Sequence, residues 1–337
     1  MSGILVIRIQ GLGDIIHLIP SLKMLREKFP ERKIALLCKK GFGQIVPAEY
    51  KIKIIELPAH ASFFEMIKLI KIIRREKFDE LYDLFANPRT ALISLFSGIK
   101  KRFGFNYRIR KHAYNGIYTP PNPNKHLMQL FANFFENFGI KGTVYPPSLT
   151  FSSSILNHAL RAISDVTVKS PLLGINPNSA CQSRSWPAEH IINFINLWYD
   201  KTHSPVLLTW GPGELQKVEQ ILSKVDSQKA FTHKALKTNE FLALISKLDL
   251  FLTPDTGPMN FAWAVGTPTV ALYGATTPEP TAPRGKNHLV LFKKDIPCLR
   301  CHKDFCSHKK CMHELTPNYV LNCILEKYNL SNTRAEK

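Results

Sequence analysis

The sequence has no long apolar run. No window of its 337 residues approaches the run of about 18 apolar residues that a membrane-spanning helix needs. The first apolar stretch, Ile4–Ile7, is also shorter than the core of a signal peptide. We therefore expect a cytoplasmic protein that does not span a membrane.

Cysteine is too scarce for a disulfide framework, because the chain has only seven and is long enough to bury a core without cross-links. Five of the seven lie between Cys298 and Cys323. This stretch has enough soft ligands for a structural zinc ion, namely Cys298, Cys301, His302, Cys306, His308, Cys311 and His313. Only the first two cysteines have a usual zinc-ligand spacing. We interpret the stretch as reduced thiols in a loop and keep zinc as the alternative.

Acidic residues are the scarce charge. Lysine and arginine number 45 against 26 aspartates and glutamates, a formal net charge of +19. Residues 1–150 have 24 cations against 11 acids and residues 151–337 have 21 against 15, so we expect an anionic partner to meet the first half. The densest basic segment, 100–111, has six cations among three aromatic rings. It suits an anionic lipid surface or RNA, and a solvated basic face is the simplest alternative.

Two stretches of the chain alternate β-branched runs with amphipathic segments, as parallel sheets with crossover helices do. The first predicts strands at 4–9, 33–37, 51–56 and 79–85, and helices ending at 29 and covering 62–76 and 126–138. The second predicts strands at 172–176, 206–209, 248–253 and 268–273, with helices beginning near 187, 213, 239 and 258. The polar segment Ser148–Ser170 is the predicted linker, and we place the domains at 1–160 and 171–325.

Open α/β sheets bind ligands at the carboxyl ends of their strands. Two such sheets that face one another leave an interdomain cleft. A cleft of that kind suits two substrates, which is the arrangement that we expect here.

The turn after the first strand, Gly11-Leu-Gly13-Asp14, has half of a dinucleotide-binding motif. The third glycine of that motif would fall at Ile16, so the sequence argues against NAD or FAD. Gly11 and Gly13 allow a tight turn and the close approach of a ligand. Asp14 either caps the following helix or accepts a proton from a bound hydroxyl, since both roles need the same position.

Three turns of the second half have phosphate-binding chemistry. Arg184 leads into a helix and can hold a diphosphate with paired hydrogen bonds, although most arginines are simply solvated. The turn Asp255-Thr-Gly-Pro258 opens a helix whose free N–H groups form a phosphate cradle, with Asp255 or Thr256 as its cap. Glu214 can accept hydrogen bonds from ribose hydroxyls, or its negative charge can interact favourably with the dipole of the helix that it begins.

The order and spacing of these motifs resemble the ADP-heptose:lipopolysaccharide heptosyltransferases of glycosyltransferase family 9. The resemblance covers residues 4 to 325 and is most specific from Asp255-Thr-Gly to Tyr273-Gly274. It implies the GT-B fold, two Rossmann-like domains with the acceptor on the first and the nucleotide sugar on the second. It also implies an inverting transferase that needs neither metal nor cofactor. The Asp-x-Asp metal motif of the other major architecture, GT-A, is absent from the sequence.

The resemblance also implies roles for individual residues. Asp14 becomes the general base that activates the acceptor hydroxyl. The implied donor-binding residues are Arg184, Glu214, Asp255, Thr256, Gly257, Pro258 and Asn260. The expected acceptor-binding residues are Gly11, Gly13, Lys100, Lys101 and Arg102, with an anionic glycolipid as the acceptor.

One residue departs from the family pattern. Asn260 stands where the family usually has a histidine, and an amide cannot bring a positive charge to the leaving diphosphate.

From the resemblance as a whole we expect a transferase that moves heptose from ADP-heptose to the lipopolysaccharide inner core. We expect it to work in peripheral contact with the cytoplasmic face of the inner membrane and without nucleic acid. The alternatives are another nucleotide sugar as donor, or a non-catalytic relative that binds nucleotide sugars or RNA.

Overall fold

The computed structural model describes residues 3–122, 125–166 and 170–330. The chain divides into two compact units, Met1–Pro147 and Ser148–Lys337. The division falls at the first residue of the segment that the sequence suggests as a linker. Within that segment the structure has a helix, and residues 167–169 lie outside the described residues.

The first unit is a six-stranded parallel sheet flanked by helices. Its strands are β1 (Gly3–Ile7), β2 (Lys33–Lys39), β3 (Lys53–Leu57), β4 (Glu80–Asp83), β5 (Lys101–Phe105) and β6 (Gly116–Tyr118). They pair in the order β3-β2-β1-β4-β5-β6. The helices are α1 (Leu12–Lys28), α2 (Phe63–Arg75), α3 (Pro88–Phe96) and α4 (Leu127–Asn137).

The central strand β1 is buried inside the first unit. All five of its residues are buried, as expected for a parallel strand covered by helices on both faces. Ile7 pairs with Leu37 on one side and with Asp83 on the other. The apolar run that begins the sequence therefore forms the middle of the sheet, and the turn that follows it opens at the carboxyl edge.

The second unit repeats the architecture. Its strands are β7 (Leu173–Ile175), β8 (Val206–Leu208), β9 (Ala230–Thr232), β10 (Leu250–Pro254), β11 (Thr269–Leu272) and β12 (Leu289–Leu291). They are parallel in the order β12-β11-β10-β7-β8-β9. The helices are α5 (Ser153–Arg161), α6 (Ala188–Thr202), α7 (Leu215–Leu222), α8 (Thr238–Ile245), α9 (Gly257–Ala264), α10 (Lys310–His313) and α11 (Pro317–Tyr328).

Side-chain caps mark the beginnings of two helices in the first unit. At α2 the Ser62 hydroxyl accepts from the Glu65 N–H at 3.3 Å, and the Glu65 carboxylate accepts from the Ser62 N–H at 2.6 Å. At α3 the Asn87 side chain accepts from the Thr90 N–H at 2.8 Å. Over the described ranges, no helix combines the length and the apolar composition that crossing a bilayer takes.

Candidate functional site

Both sheets have a topological switch point, at which the connections change from one side of the first strand to the other. In the first sheet this point lies between β1 and β4, and in the second between β7 and β10. Open α/β sheets bind ligands outside the carboxyl ends of the strands at such a point. Asp14 comes after β1 and Asp255 directly follows β10, so each lies at the switch point of its own sheet.

A tight turn at Gly11 leads from β1 into α1. Gly11 is the N-cap residue of the helix and has φ of +84°, a conformation that glycine adopts readily. A Cβ atom at this position would lie 2.2 Å from Asp14 Oδ2. Asp14 is in the first turn of α1, where the helix dipole favours negative charge. Asp14 is therefore not the capping residue, and the Gly11 turn leaves room for its carboxylate.

The carboxylate of Asp14 binds the guanidinium group of Arg8, the residue after β1. Arg8 Nη2 donates to Asp14 Oδ2, and Arg8 Nη1 donates to the Leu84 carbonyl oxygen at 2.7 Å. The rings of Phe85 and Phe131 lie 4.9 and 5.4 Å from the guanidinium carbon. The Arg8 side chain is 12% exposed and that of Asp14 is 28% exposed. A fixed cation thus orients a carboxylate that solvent reaches.

Arg8 was missed by the sequence analysis. The available signal is a cation at the end of an apolar strand, six residues before an acid and on the other side of a glycine turn. Only the geometry of the turn shows that the two charges meet.

A second carboxylate, Asp83, ends β4 and is fully buried. It accepts hydrogen bonds from the Ala86 N–H at 2.8 Å and from the Tyr114 hydroxyl at 2.6 Å. Burial raises the pKa of Asp83. These bonds fix the loop that follows β4, and this loop presents the Leu84 carbonyl to Arg8. Asp83 was also missed, although an acid at the end of a strand beside the switch point is a recognisable signal.

The cations predicted to bind the acceptor lie at the other edge of the first sheet. These are Lys100, Lys101 and Arg102. Lys101 pairs with Glu80, which pairs with Ile4, so the beginning of β5 is at the amino edge. Asp14 lies at the carboxyl edge. The Arg102 guanidinium donates to two backbone carbonyls at 2.7 and 2.8 Å. The structure therefore does not bring these three residues together with Asp14, whereas Gly11 and Gly13 adjoin it.

In the second unit, Arg184 and Asp255 form an ion pair at the switch point. Arg184 Nη1 lies 3.3 Å from Asp255 Oδ2. Asp255 also accepts from the hydroxyls of Thr276 at 2.7 Å and Thr281 at 3.3 Å. The side chain of Arg184 is 31% exposed and that of Asp255 is 10% exposed. Asp255 is thus a buried support, and the guanidinium that it holds stays open to an anion.

The N-terminus of α9 opens at the same edge of the sheet. Thr256 is the N-cap residue, and Gly257 and Pro258 begin the helix. Asn176 Nδ2 donates to Thr256 Oγ1 at 3.1 Å, which links the end of β7 to the beginning of α9. These first helical residues are partly exposed, whereas Asn260 is 7% exposed. The helix start can cradle a phosphate, and Asn260 lies within the unit just after it.

Glu214 is the N-cap residue of α7, after the end of β8. Its carboxylate accepts from the Gly211 N–H at 2.8 Å. Nearby, the Trp210 ring stacks on the imidazole of His233, with 5.1 Å between centroids and 4° between planes. Burial lowers the pKa of His233, which favours its neutral form. Glu214 therefore stabilises its own turn, and a ribose contact stays a prediction.

Lys217 adds a second cation at the carboxyl edge of the second sheet, which the sequence reasoning did not identify. Lys217 Nζ donates to the Pro177 carbonyl, just after β7, at 2.8 Å. Burial, followed by the charge of Lys309, lowers the pKa of Lys217. No local motif marks this lysine, because it reaches the end of β7 only through the packing of α7.

The cysteine-rich stretch packs along the second unit. The Arg300 N–H donates to the Gly274 carbonyl at 2.9 Å, and the Ser183 N–H donates to the Asp304 carbonyl at 3.1 Å. Burial raises the pKa of Cys311. Within the part of the chain that the structure describes, no three histidine, cysteine or acidic side chains are grouped so as to hold a metal ion, and the cysteines are free thiols.

Residues 66–312 match the family model described as glycosyltransferase family 9 (heptosyltransferase). The lipopolysaccharide core heptosyltransferase OpsX of Haemophilus influenzae is 27% identical over 294 residues, which cover 84% of this chain and 82% of that protein. The family-model match extends into both units; it includes Arg184 and the turn at Asp255 and begins after the turn that holds Asp14.

Solved structures show the same fold. The structure of Escherichia coli ADP-heptose lipopolysaccharide heptosyltransferase II has a TM-score of 0.79 at 19% identity, with 97% of this chain and 100% of that chain covered. A family 9 glycosyltransferase of Veillonella parvula has a TM-score of 0.75 at 22% identity, with 86% and 85% covered. The predicted fold class, two Rossmann-like parallel sheets of the GT-B type, is confirmed.

Proposed function

Because the chain belongs to glycosyltransferase family 9 and is a glycosyltransferase, we propose that it transfers heptose from ADP-heptose to the lipopolysaccharide inner core. The observation that carries the proposal is the chemistry at the two switch points. One has a carboxylate held by a mostly buried guanidinium, Asp14 on Arg8, and the other has a more exposed guanidinium beside a helix N-terminus, Arg184 at α9. These are the parts that an inverting sugar transfer needs.

We assign Asp14 as the general base. Its carboxylate would accept the proton of the acceptor hydroxyl as that oxygen attacks the anomeric carbon, and the bond to the ADP oxygen would break on the opposite face of the sugar. Such proton transfer contributes about 10²–10⁴-fold in rate. Arg8 leaves one carboxylate oxygen of Asp14 available, since its hydrogen bond goes to Oδ2.

Arg184 and the start of α9 would stabilise the departing ADP. Negative charge accumulates on the diphosphate as the glycosidic bond breaks, and prepositioned donors aimed at that charge lower the barrier. Thr256 and Gly257 supply the helix end, Lys217 adds a cation, and Glu214 is placed to meet the ribose. We propose that these groups act without a metal ion, which chelator treatment of the active enzyme would check.

The acceptor in this proposal is an anionic glycolipid, such as lipid A carrying inner-core sugars, met in peripheral contact with the cytoplasmic face of the inner membrane. Gly11 and Gly13 would allow it to approach the backbone next to Asp14. Contacts from Lys100, Lys101 and Arg102 would have to reach a more distant part of such an acceptor, since they lie at the opposite edge of the sheet.

A different nucleotide sugar is the second candidate, and Asn260 favours it. The buried amide stands where the family usually has a histidine, so the surroundings of the leaving diphosphate differ. In that case the same base and the same phosphate pocket would act on another donor.

The test follows nucleotide release on an inner-core acceptor with ADP-heptose and, separately, with UDP-sugars. For Asp14→Asn we expect turnover with the active donor to fall at least about 100-fold, because an amide cannot take the proton. Donor binding and the melting temperature should change little. Exposed Asp295 offers the matched control, and Asp295→Asn should keep full turnover.

Retained turnover in Asp14→Asn would remove Asp14 from the mechanism. Release of UDP alone would replace heptose with another sugar while leaving the catalytic assignment in place. Release of neither nucleotide by the wild-type chain would contradict both donors.

A further inference from the structure

Large apolar side chains are exposed on one region of the first unit. Of the exposed large apolar residues that the structure describes, eight lie between residues 63 and 109, namely Phe63, Phe64, Ile72, Leu92, Leu95, Phe96, Tyr107 and Ile109. Three of them are exposed by three quarters or more: Phe63 by 75%, Phe64 by 81% and Ile109 by 84%. The surface of a monomeric protein in water rarely exposes so many large apolar side chains in one region. Such a patch marks an interaction surface.

These side chains are on three neighbouring elements, α2, α3 and the 3-10 turn Arg108–Ala113, with Tyr107 directly before that turn. The Arg74 side chain at the end of α2 donates to the Phe96 carbonyl at the end of α3, at 2.9 Å. At the other end, Arg89 of α3 donates to the Ala59 carbonyl, just before α2, at 3.2 Å. The two helices therefore run side by side in the same direction, and their exposed residues share one surface.

A groove of about 370 Å³ lies between α3 and the 3-10 turn. Its walls are mostly apolar and include Leu92, Leu95 and Ile109, while Arg110 and His112 supply the polar part. The Arg110 guanidinium lies 5.2 Å from the centre of the Tyr107 ring. A groove of this kind accepts a hydrocarbon chain and offers a cation to its headgroup.

Cations outnumber acids on the elements of this surface. Helices α2 and α3 and the 3-10 turn contain eight lysines and arginines against one acid, Glu65. The acid of α2 nearest to the exposed phenylalanines, Glu65, is bound in the Ser62 capping box. Cations and apolar side chains are therefore mixed, with few acids to offset them.

We propose that the surface of α2, α3 and the 3-10 turn, here called the basic apolar face, docks on a bilayer that contains anionic phospholipids. Aromatic and aliphatic side chains enter the layer just below the headgroups, and nearby cations bind the phosphates. The groove takes part of an acyl chain. Apolar insertion explains why exposed Phe64 and Ile109 accompany the cations, which binding to a free phosphate or to an RNA backbone would not require.

The experiment measures how the full chain partitions onto vesicles, with no nucleotide or sugar acceptor present. Vesicles contain either phosphatidylcholine alone or phosphatidylcholine with about 30% phosphatidylglycerol. We expect binding to the anionic vesicles and its release by about 1 M salt. Replacing Phe64 and Ile109 together by serine should lower the partition coefficient at least about tenfold. The matched control replaces Phe305, which is 70% exposed on the second unit, by serine and should keep wild-type binding.

Charge is tested by Arg108→Gln together with Lys111→Gln, against Lys201→Gln together with Lys224→Gln on the second unit. Only the first pair should weaken binding to anionic vesicles. Equal binding to both vesicle types, equal losses in test and control variants, or stronger capture by RNA than by vesicles would overturn the proposal. Because no sugar transfer is measured, failure here would remove the membrane contact and leave the proposed transfer reaction intact, and failure of the transfer assay would leave the vesicle result intact.

Discussion

At the scale of single residues, Arg8 determines what Asp14 can do. The guanidinium is held from the far side by the Leu84 carbonyl and by two aromatic rings, so it cannot follow the carboxylate if that moves. An oriented base is effective because the reacting atoms meet within a narrow range of distance and angle. Arg8 is therefore a positioning residue for the proposed base.

We expect Arg8→Lys to lower kcat by about 10- to 100-fold and to change the KM for the donor little. A lysine has a single ammonium group and cannot hold the Asp14 carboxylate and the Leu84 carbonyl in the planar geometry of a guanidinium. Steady-state kinetics for both substrates measures the split between kcat and KM.

The control for this prediction is Arg32→Lys. Arg32 binds Asp79 at 2.9 Å at the amino edge of the same sheet. We expect this variant to lose some stability and no turnover. Equal losses of kcat in the two variants would show that Arg8 is only structural.

The residues that the sequence predicted and that lie at the switch points share one property, which is a position next to a turn with recognisable chemistry. Asp14 follows two glycines and Asp255 opens a Thr-Gly-Pro turn. Arg8 and Lys217 belong to an ordinary strand end and an ordinary helix, and they meet their partners only through tertiary packing. A single sequence offers no local sign of such packing, so these two had to come from the structure.

At the scale of elements, the β1–α1 turn links backbone conformation to the candidate base. We expect Gly11→Ala to destabilise the protein by about 1–2 kcal/mol, because an alanine is strained at positive φ. It should also reduce turnover strongly, since the new Cβ would displace the Asp14 carboxylate from its place 2.2 Å away. Urea unfolding followed by circular dichroism and steady-state kinetics measure the two effects.

Gly41→Ala separates strain from displacement. Gly41 has φ of +85°, and a Cβ there would meet nothing within 4 Å. The Gly41→Ala variant should lose a similar amount of stability as Gly11→Ala and keep its turnover. If Gly11→Ala also kept full turnover, the carboxylate could move without consequence, and Asp14 would not need the position that the turn gives it.

Elements with a strong local pattern could be predicted, and those without one could not. The amphipathic helix expected at 62–76 is α2 at Phe63–Arg75, and its capping box fixes the start. The segment from 100 to 111 was predicted only as a basic patch, yet Lys101–Phe105 forms β5. Its charged beginning and internal glycine hide the strand, which the neighbouring strands β4 and β6 stabilise.

At the scale of the whole molecule, the repeat of one architecture could be predicted because the β-α pattern occurs twice with a turn motif in each copy. The two units differ in charge, and each has its own switch point. In the proposed function the first unit carries the base and the second carries the nucleotide pocket. Each role can then be probed in its own unit by a suitable spectroscopic signal.

The chain provides that signal, since all four tryptophans, Trp186, Trp198, Trp210 and Trp263, belong to the second unit. A ligand present at about 100 times its dissociation constant stabilises the state that binds it by about 2.7 kcal/mol. For a unit of this size we expect ADP to raise the midpoint of thermal unfolding seen by tryptophan fluorescence by about 5–10 °C. Guanosine and uridine diphosphates at equal concentration should raise it less.

Arg184→Gln should abolish most of this shift, because the guanidinium would no longer meet the diphosphate. Exposed Arg161, on α5 of the same unit, provides the matched control, and Arg161→Gln should respond to ADP as the wild type does. Asp14→Asn should also respond fully, since that carboxylate belongs to the first unit. A shift that survives Arg184→Gln, or that disappears in Asp14→Asn, would contradict the assignment of nucleotide binding to the second unit and of the base to the first.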